Sequence, residues 1–156
     1  MTKTPNLDSL LSSDDPNGSI IELDNFIGEL CDYGNDFGNL TEHQRLFYLN
    51  QNLEREVNNG GFEQYFRNSS CDNAHETILS LNAIGAYKTA DILQQAIDQF
   101  PNKQISKDRE ERIKSIKQIE EAVNEVWNKL EQSFFKYEDD LNALNFAYIK
   151  KYKDFF

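Results

Sequence analysis

A helical pattern that stops at two glycines and restarts with aromatic residues is the feature that most constrains the fold of this chain. Apolar residues recur at helical spacing up to the stop, at Leu46, Leu49, Leu53 and Val57. Residues 58–61, Asn-Asn-Gly-Gly, follow, and these residue types tolerate the left-handed backbone at a helix end. Phe62, Tyr65 and Phe66 then share one face of a second, short helix. The pattern predicts a helix-Asn-Asn-Gly-Gly-helix corner, with Gly60 just past the end of the first helix.

The rest of the chain repeats this kind of signal, which predicts an all-α fold. Amphipathic runs follow polar residues that can cap a helix, and two of these, Ser19 and Thr41, precede Glu or Gln by three residues. No alternating pattern of useful length indicates a strand. We therefore predict a single compact domain of about six or seven helices over residues 19–156. Residues 1–18 hold two prolines and few apolar residues, which predicts a partly ordered acidic arm.

The formal net charge of −11 is the strongest compositional signal. Residues 1–36 contribute −7, residues 37–102 contribute −4 and residues 103–156 contribute 0. The negative electrostatic potential of such a chain repels nucleic acid, attracts basic proteins and raises their association rates at low salt. Solubility alone is the simpler interpretation of this charge. The functional interpretation is a protein that binds a basic partner protein and does not bind nucleic acid directly.

Acidic residues of the N-terminal region form the predicted partner-binding surface, and a second patch lies near the C terminus. The candidates are Asp14, Asp15, Glu22, Asp24, Glu29, Asp32, Asp36, Glu138, Asp139 and Asp140. The consecutive acids at 14–15 and 138–140 could also meet a hard cation, but they lack the alternating ligands and internal glycine of a calcium loop. We interpret both runs as solvated acidic turns.

Residue types that carry catalysis are few in this sequence. His43 and His75 are the only histidines, and each is expected to be an exposed polar residue near the start of a helix. Cys31 and Cys71 have no CxxC spacing and are predicted to be free thiols. The HExxH, GxxxxGK(S/T), GxSxG and GxGxxG motifs do not occur. We therefore predict no enzyme activity, no cofactor and no metal site.

Hydropathy and the first residues of the chain allow a prediction of its cellular location. No apolar run approaches the roughly 20 residues that a membrane span requires. The first six residues lack the charged and apolar regions of a secretion signal. We therefore predict a cytoplasmic protein that makes no membrane contact.

Polar residues at the predicted corner allow two interpretations. Asn58, Asn59 and Gln64 can cap the free carbonyl and N–H groups where two helices meet, and this interpretation is favoured. Together with Tyr65 they can instead line a pocket for a small ligand. Carboxylates near the corner are expected to form structural ion pairs rather than a catalytic pair, and the residues concerned are Glu54, Glu56, Glu63, Arg55 and Arg67.

A specific signature, Asn-Asn-Gly-Gly-Phe-x-Gln-Tyr-Phe, spans the corner. It is formed by Asn58, Asn59, Gly60, Gly61, Phe62, Gln64, Tyr65 and Phe66. With residues 83–86, 90–93 and 134–141, this run resembles a bacterial domain-of-unknown-function family that includes a DNA-mimic protein. The resemblance extends from about residue 40 to the C-terminal helix, and the acidic arm before it is not matched.

The resemblance implies an all-helical fold with no known catalytic activity. It also implies an acidic surface, presented by a homodimer, that imitates the phosphates of duplex DNA and occupies the DNA-binding face of a transcription regulator. Our leading hypothesis is a non-enzymatic acidic protein-binding module of this kind. An immunity or antitoxin-like protein that neutralises a toxin by direct contact is the alternative. A small-ligand or enzymatic role at residues 58–64 is a third hypothesis.

Overall fold

Seven α-helices account for most of the part of the chain that the structure describes. The computed structural model describes residues 3–156. Its helices are α1 (Leu7–Leu11), α2 (Pro16–Leu30), α3 (Glu42–Arg67), α4 (Ala74–Ala83), α5 (Tyr87–Ile97), α6 (Arg109–Phe134) and α7 (Leu141–Lys151). Short 3₁₀ turns lie between several of them, and no strand occurs among the described residues. The predicted all-α fold of six or seven helices is confirmed.

The long helix α3 is the centre of the packing and contacts α2, α4 and α6. The aromatic residues after its glycine pair, Phe62, Tyr65 and Phe66, are fully buried in the larger core, together with residues of α4, α5 and α6. The Phe66 ring centroid lies 5.1 Å from that of Trp127 and 5.0 Å from that of Phe100. A second apolar cluster joins α2 and α7 to the first half of α3. The two halves of α3 therefore hold two different groups of helices together.

The backbone of α3 leaves helical geometry at the glycine pair. Gly60 has φ −155° and ψ 19°, whereas Gly61 has φ 73° and ψ −171°. Gly60, which was predicted to follow the end of the first helix, does not have the left-handed backbone that is common at that position, and the positive φ belongs to Gly61. Glu131 Oε1 accepts a hydrogen bond from the Phe62 N–H (2.8 Å) and would lie 2.2 Å from a Cβ at Gly61. α3 is one element across this break, so a corner between two separate helices stays a prediction.

The start of α3 has the predicted capping box. The Gln44 N–H donates to Thr41 Oγ1 (3.1 Å), and Gln44 Oε1 accepts from the Thr41 N–H (3.0 Å). The Thr41 hydroxyl also donates to the Phe155 carbonyl (2.7 Å). One threonine thus satisfies free groups of the first turn and anchors the end of the chain to α3.

The start of α2 differs from the prediction. The helix begins at Pro16, where the missing N–H of proline costs nothing, and Asp15 accepts a hydrogen bond from the Gly18 N–H (3.0 Å). The predicted capping box at Ser19 is therefore wrong. Ser19 is buried, and its hydroxyl donates to the Leu10 carbonyl (2.8 Å).

The predicted arm, residues 1–18, contains the helix α1 and the first turn of α2. Leu7, Leu10 and Leu11 of α1 are partly buried against the second apolar cluster. The boundary predicted between residues 18 and 19 falls inside α2. Residues 1 and 2 lie outside the described residues, and partial order of the arm stays a prediction.

Candidate functional site

Three carboxylates form a column along one side of α2. Asp15 at the N-cap, Glu22 and Glu29 are seven residues apart, and all three are exposed. Seven residues make two helical turns with a drift of only about 20°, so positions at this interval share one side of a helix. We call these three residues the acidic column.

Three more of the predicted acids lie beyond the two ends of α2. Asp14 precedes the helix, Asp32 and Asp36 follow it, and all are exposed. Asp32 accepts a hydrogen bond from the Asn35 amide (3.2 Å), and Asp36 accepts one from the Gly38 N–H (2.8 Å). Both donors are neutral, so these bonds hold the loops in place without cancelling the negative charge.

The N-terminal segment carries no basic side chain of its own that could neutralise these acids. Residues 4–44 contain nine acidic residues and no lysine or arginine. Bases from outside the segment contact it, and among them Lys153 pairs with Asp8 and Arg55 pairs with Asp24. The acidic column and its flanking aspartates therefore contribute to one region of negative potential.

Asp24 is a predicted surface residue that the structure places in the interior. It is 9% exposed, because it shares the inward face of α2 with Ile20 and Leu23. Its Oδ2 pairs with Arg55, whereas its Oδ1 is buried with no hydrogen-bond partner among the described residues. Burial raises the pKa of the Asp24 carboxyl, and the positive charge of Arg55 opposes that rise. Asp24 consequently lies outside the exposed acidic surface.

The predicted second acidic patch is largely occupied by structural contacts. Asp139 accepts hydrogen bonds from the Thr89 N–H (2.8 Å) and hydroxyl (3.1 Å) in the first turn of α5. Asp140 is the N-cap of α7. The exposed Glu138 has a loose ion pair with Lys88, at 3.7 Å. These carboxylates stabilise helix starts and the contact between α5 and the loop before α7, which leaves the column on α2 as the stronger candidate surface.

A cleft of about 440 Å³ lies between α2 and α3. The lining residues of each helix recur at three- and four-residue steps, so one face of each helix forms a wall. They are Asn17, Ile20, Ile21, Asp24 and Asn25 of α2, Gln51, Glu54, Arg55 and Asn58 of α3, and Asn142 of α7. A second depression shares three of these residues and adds Tyr137 and Asp140. We call the two together the α2–α3 cleft.

A hydrogen-bonded chain runs along the cleft from α3 to the loop before α7. The Tyr137 hydroxyl donates to Glu54 Oε1 (3.1 Å) and accepts from the Asn58 amide (2.7 Å). Glu54 Oε2 is buried with no hydrogen-bond partner among the described residues, and so is Gln51 Nε2. With Asp24 Oδ1, the residues that line the cleft thus contain two buried acceptors and one buried donor with no hydrogen-bond partner within residues 3–156.

Burial shifts the pKa values of two groups in the cleft, Glu54 and Tyr137. Burial raises the pKa of Glu54, the Tyr137 hydrogen bond lowers it, and the negative charges of Asp24 and Asp140 raise it further. Burial also raises the pKa of Tyr137. Both shifts favour the neutral forms of Glu54 and Tyr137.

The signature amides bond to side chains instead of capping the backbone. Asn58 bonds to a tyrosine, Asn59 donates to Gln64 Oε1 (3.3 Å), and Gln64 donates to Glu56 Oε2 (2.7 Å). The favoured interpretation of backbone capping is therefore wrong for these three amides. Tyr65 is fully buried, so it does not line a pocket with them.

Ion pairing at the corner is confirmed in part. Arg67 pairs with Glu63 at 3.0 Å, as predicted. Glu56 instead accepts hydrogen bonds from three neutral donors, the side chains of Gln64 (2.7 Å), Asn68 (3.0 Å) and Ser70 (3.0 Å). It therefore ties the end of α3 to the turn that follows.

Arg112, which the sequence did not single out, organises the other end of this turn. It is fully buried and donates to the carbonyls of Phe66 (2.7 Å), Ser106 (2.8 Å) and Asn68 (3.0 Å). Its Nη1 also lies 2.9 Å from Asp72 Oδ1. Backbone carbonyls leave no mark on a sequence, so spacing could not reveal these partners.

The histidines and cysteines occupy structural positions. His43 is half-buried, in contrast to the prediction, and its Nδ1 lies 2.6 Å from the Tyr148 hydroxyl while its ring stacks on Tyr152 at 4.3 Å. Cys31 and Cys71 are buried free thiols, as predicted. Within residues 3–156, no group of three or more His, Cys, Asp or Glu side chains could hold a metal ion. No helix in that range has the length and apolar character that crossing a bilayer requires.

A comparison with models of protein families identifies the family of the chain. The family model described as DMP19-like protein matches residues 38–152, which include α3 to α7. No curated protein and no solved structure matches the chain. The match includes the glycine pair and the α3 wall of the cleft, whereas α1 and α2 precede it. Because the match covers well over half of the sequence, the chain belongs to the DMP19-like protein family.

Proposed function

We propose that this protein is a non-enzymatic acidic module that binds a basic protein and presents the acidic column in place of DNA phosphates. The partner class is a DNA-binding protein such as a transcription regulator. The observation that carries the proposal is the exposed alignment of Asp15, Glu22 and Glu29 in a segment, residues 4–44, that contains no lysine or arginine.

The column displays its carboxylates in a regular row. Seven residues of α-helix rise about 10.5 Å, so neighbouring members of the column are about that far apart along the helix axis. Carboxylates can stand in for phosphates because lysine and arginine side chains pair with both groups. Because α2 is packed on α3 and α7, its carboxylates are displayed from a fixed scaffold.

A capture experiment tests the proposal. The protein is immobilised, exposed to lysate of its host, and eluted first with rising salt and then, in a parallel run, with duplex DNA of random sequence. We expect a DNA-binding protein that both treatments release, because Debye screening weakens exposed ion pairs and DNA competes for the same basic face. A partner that resists 1 M salt and duplex DNA would refute the proposal, and a captured toxin would favour the immunity alternative.

A matched pair of double variants assigns the contact to the column. Glu22→Gln/Glu29→Gln removes two column charges, and Glu121→Gln/Glu125→Gln removes two charges from exposed positions of α6. Two exposed ion pairs at about 0.5–1 kcal/mol each predict a loss of affinity of roughly 5- to 30-fold for the first variant. The α6 variant should lose less than about twofold. Equal losses would mean that net charge alone, and not the column, governs binding.

A further inference from the structure

The loop that follows α2 presents an aromatic ring to solvent. Tyr33 is 69% exposed, and within residues 3–156 no other ring and no cation is stacked on it. Its Cδ1 and Cε1 atoms approach the backbone of α2, where a Cβ at Gly28 would lie 3.3 and 3.4 Å from them. The missing side chain of Gly28 therefore makes room for one edge of the ring, while most of the ring is open to contact by another molecule.

The backbone of this loop holds the ring in a fixed position. Asp32, Tyr33 and Gly34 have φ values of 48°, 51° and 97°, and residues other than glycine adopt this left-handed conformation at a cost. The Cys31 carbonyl accepts hydrogen bonds from the N–H groups of Gly34 (3.0 Å) and Asp36 (2.9 Å), which maintain the turn. Tyr33 is therefore displayed by a determined backbone and not by a flexible one.

The surroundings of the ring favour a cation as its ligand. Tyr33 lies between the exposed Asp32 and Asp36 in the sequence, and it follows Glu29 of the acidic column by four residues. The C-terminal end of α2 adds partial negative charge, and residues 4–44 contain no lysine or arginine. The face of an aromatic ring is itself negative and attracts cations. Charge complementarity therefore selects a positively charged group of a second molecule.

A ring four residues later shows this kind of pairing within the chain. The Arg45 guanidinium carbon lies 4.5 Å from the centroid of the Phe37 ring. Tyr33 is the more exposed ring of the two and has no such cation from residues 3–156. A guanidinium is planar and weakly hydrated, so it stacks on rings better than the compact, strongly hydrated ammonium of lysine. The ring therefore fits arginine better than lysine.

We propose that Tyr33 is a specificity-determining contact of the acidic surface, where an arginine side chain of the basic partner stacks on its ring. The acidic column attracts any basic protein, and Tyr33 selects partners whose contacting segment is rich in arginine. This inference rests on the proposed function, because it assigns a chemical preference to the same basic partner.

Two labelled peptides of equal charge, deca-arginine and deca-lysine, test the proposal by fluorescence anisotropy at low salt. The arginine preference is the dissociation constant of the lysine peptide divided by that of the arginine peptide. This preference should fall about 2- to 5-fold in Tyr33→Leu, which is the range expected for one exposed cation–π contact. Tyr33→Phe keeps a ring and should preserve the preference, whereas Tyr33→Trp should raise it, because tryptophan binds cations best.

Tyr87 supplies the matched control for a general effect of an exposed tyrosine. It is 67% exposed at the first residue of α5, and Tyr87→Leu should leave the arginine preference unchanged. An unchanged preference in Tyr33→Leu, or an equal fall in Tyr87→Leu, would overturn the assignment of Tyr33.

The column variant Glu22→Gln/Glu29→Gln separates this inference from the proposed function. It should weaken both peptides to a similar extent and leave the arginine preference in place, because it removes charge and keeps the ring. If both peptides depend on the column but neither depends on Tyr33, the inference fails and the proposed function stands. If neither peptide depends on the column, the proposed function fails, and a preference that still follows Tyr33 would support the arginine contact alone.

Discussion

Replacing Arg112 with methionine should destabilise the protein more than any other single arginine substitution in α6. The guanidinium is fully buried and donates to the carbonyls of Phe66, Ser106 and Asn68 at 2.7–3.0 Å. Methionine fills similar apolar volume but supplies no donor. A buried ion pair can often be replaced by apolar residues without loss, yet that exchange requires removing both partners, and backbone carbonyls cannot be removed.

The expected loss follows from these contacts. Hydrogen bonds from a charged donor contribute about 1.5–3 kcal/mol each, and three of them set an upper range of about 4.5–9 kcal/mol. Two of the three carbonyls are only partly buried and can regain water, so the lower end applies and we expect a loss of about 4.5 kcal/mol. For a chain of this length the melting temperature should fall by about 9–18 °C.

Arg109 provides a matched control for this measurement. It lies three residues earlier in α6, is exposed, and donates to the Arg67 carbonyl at 3.1 Å. Arg109→Met should cost less than about 1 kcal/mol, because water replaces its hydrogen bond. Arg112→Lys, which keeps the charge but not the planar fork, should fall between the two. Urea unfolding of Arg112→Met within 1 kcal/mol of the wild type, at an unchanged slope, would refute the assignment of Arg112 as the main tie at this turn.

Three further predictions concern the backbone break, the cleft and the start of α3. Gly61→Ala should lower the free energy of unfolding by about 1–3 kcal/mol, because φ 73° with ψ −171° suits only glycine and the new Cβ would displace Glu131. An unchanged midpoint of urea unfolding would contradict this prediction. Burial raises the pKa of Glu54, so its contribution to stability is full below its ordinary pKa of 4.5 and is lost as pH rises through the raised pKa. Glu54→Gln should remove that loss, and unfolding free energies measured from pH 4 to 7 should then fall less steeply than in the wild type. Thr41→Ala should cost about 1–2 kcal/mol by thermal melting, since it loses the capping box and the bond to the Phe155 carbonyl; Thr41→Ser should restore most of it.

Local sequence signals predicted the helices well because apolar spacing and capping both depend on residues within one or two helical turns. The capping box at Thr41 and the apolar spacing of α3 are confirmed, and both are contacts within one or two turns. The start of α2 was mispredicted because two capping signals compete there. Asp15 followed by Pro16 outweighs the Ser19 spacing, since proline fixes the first helical φ and Ser19 has an apolar neighbourhood to fill.

The cleft was harder to predict because its chemistry depends on pairs of elements that are far apart in sequence. Asp24 was grouped with surface acids by its charge, although its spacing from Ile20 and Ile27 places it on the apolar stripe of α2. That spacing was a usable signal. The bond between Asn58 and Tyr137 joins residues 79 apart, and no local pattern specifies it. Arg112 belongs to the same class, because its partners are carbonyls of two other segments.

The family match covers α3 to α7 and leaves out α1 and α2. Residues 38–152 contain the broken helix α3, its aromatic core and the hydrogen bonds of Arg112. The acidic column and one wall of the α2–α3 cleft come from α2, which precedes the match. α2 is joined to the scaffold by an apolar stripe and by the ion pair of Asp24 with Arg55, while Asp15, Glu22 and Glu29 are exposed. Substitutions at these exposed positions should therefore alter the proposed partner binding at little cost in stability, whereas substitutions in the buried face of α3 should destabilise the fold.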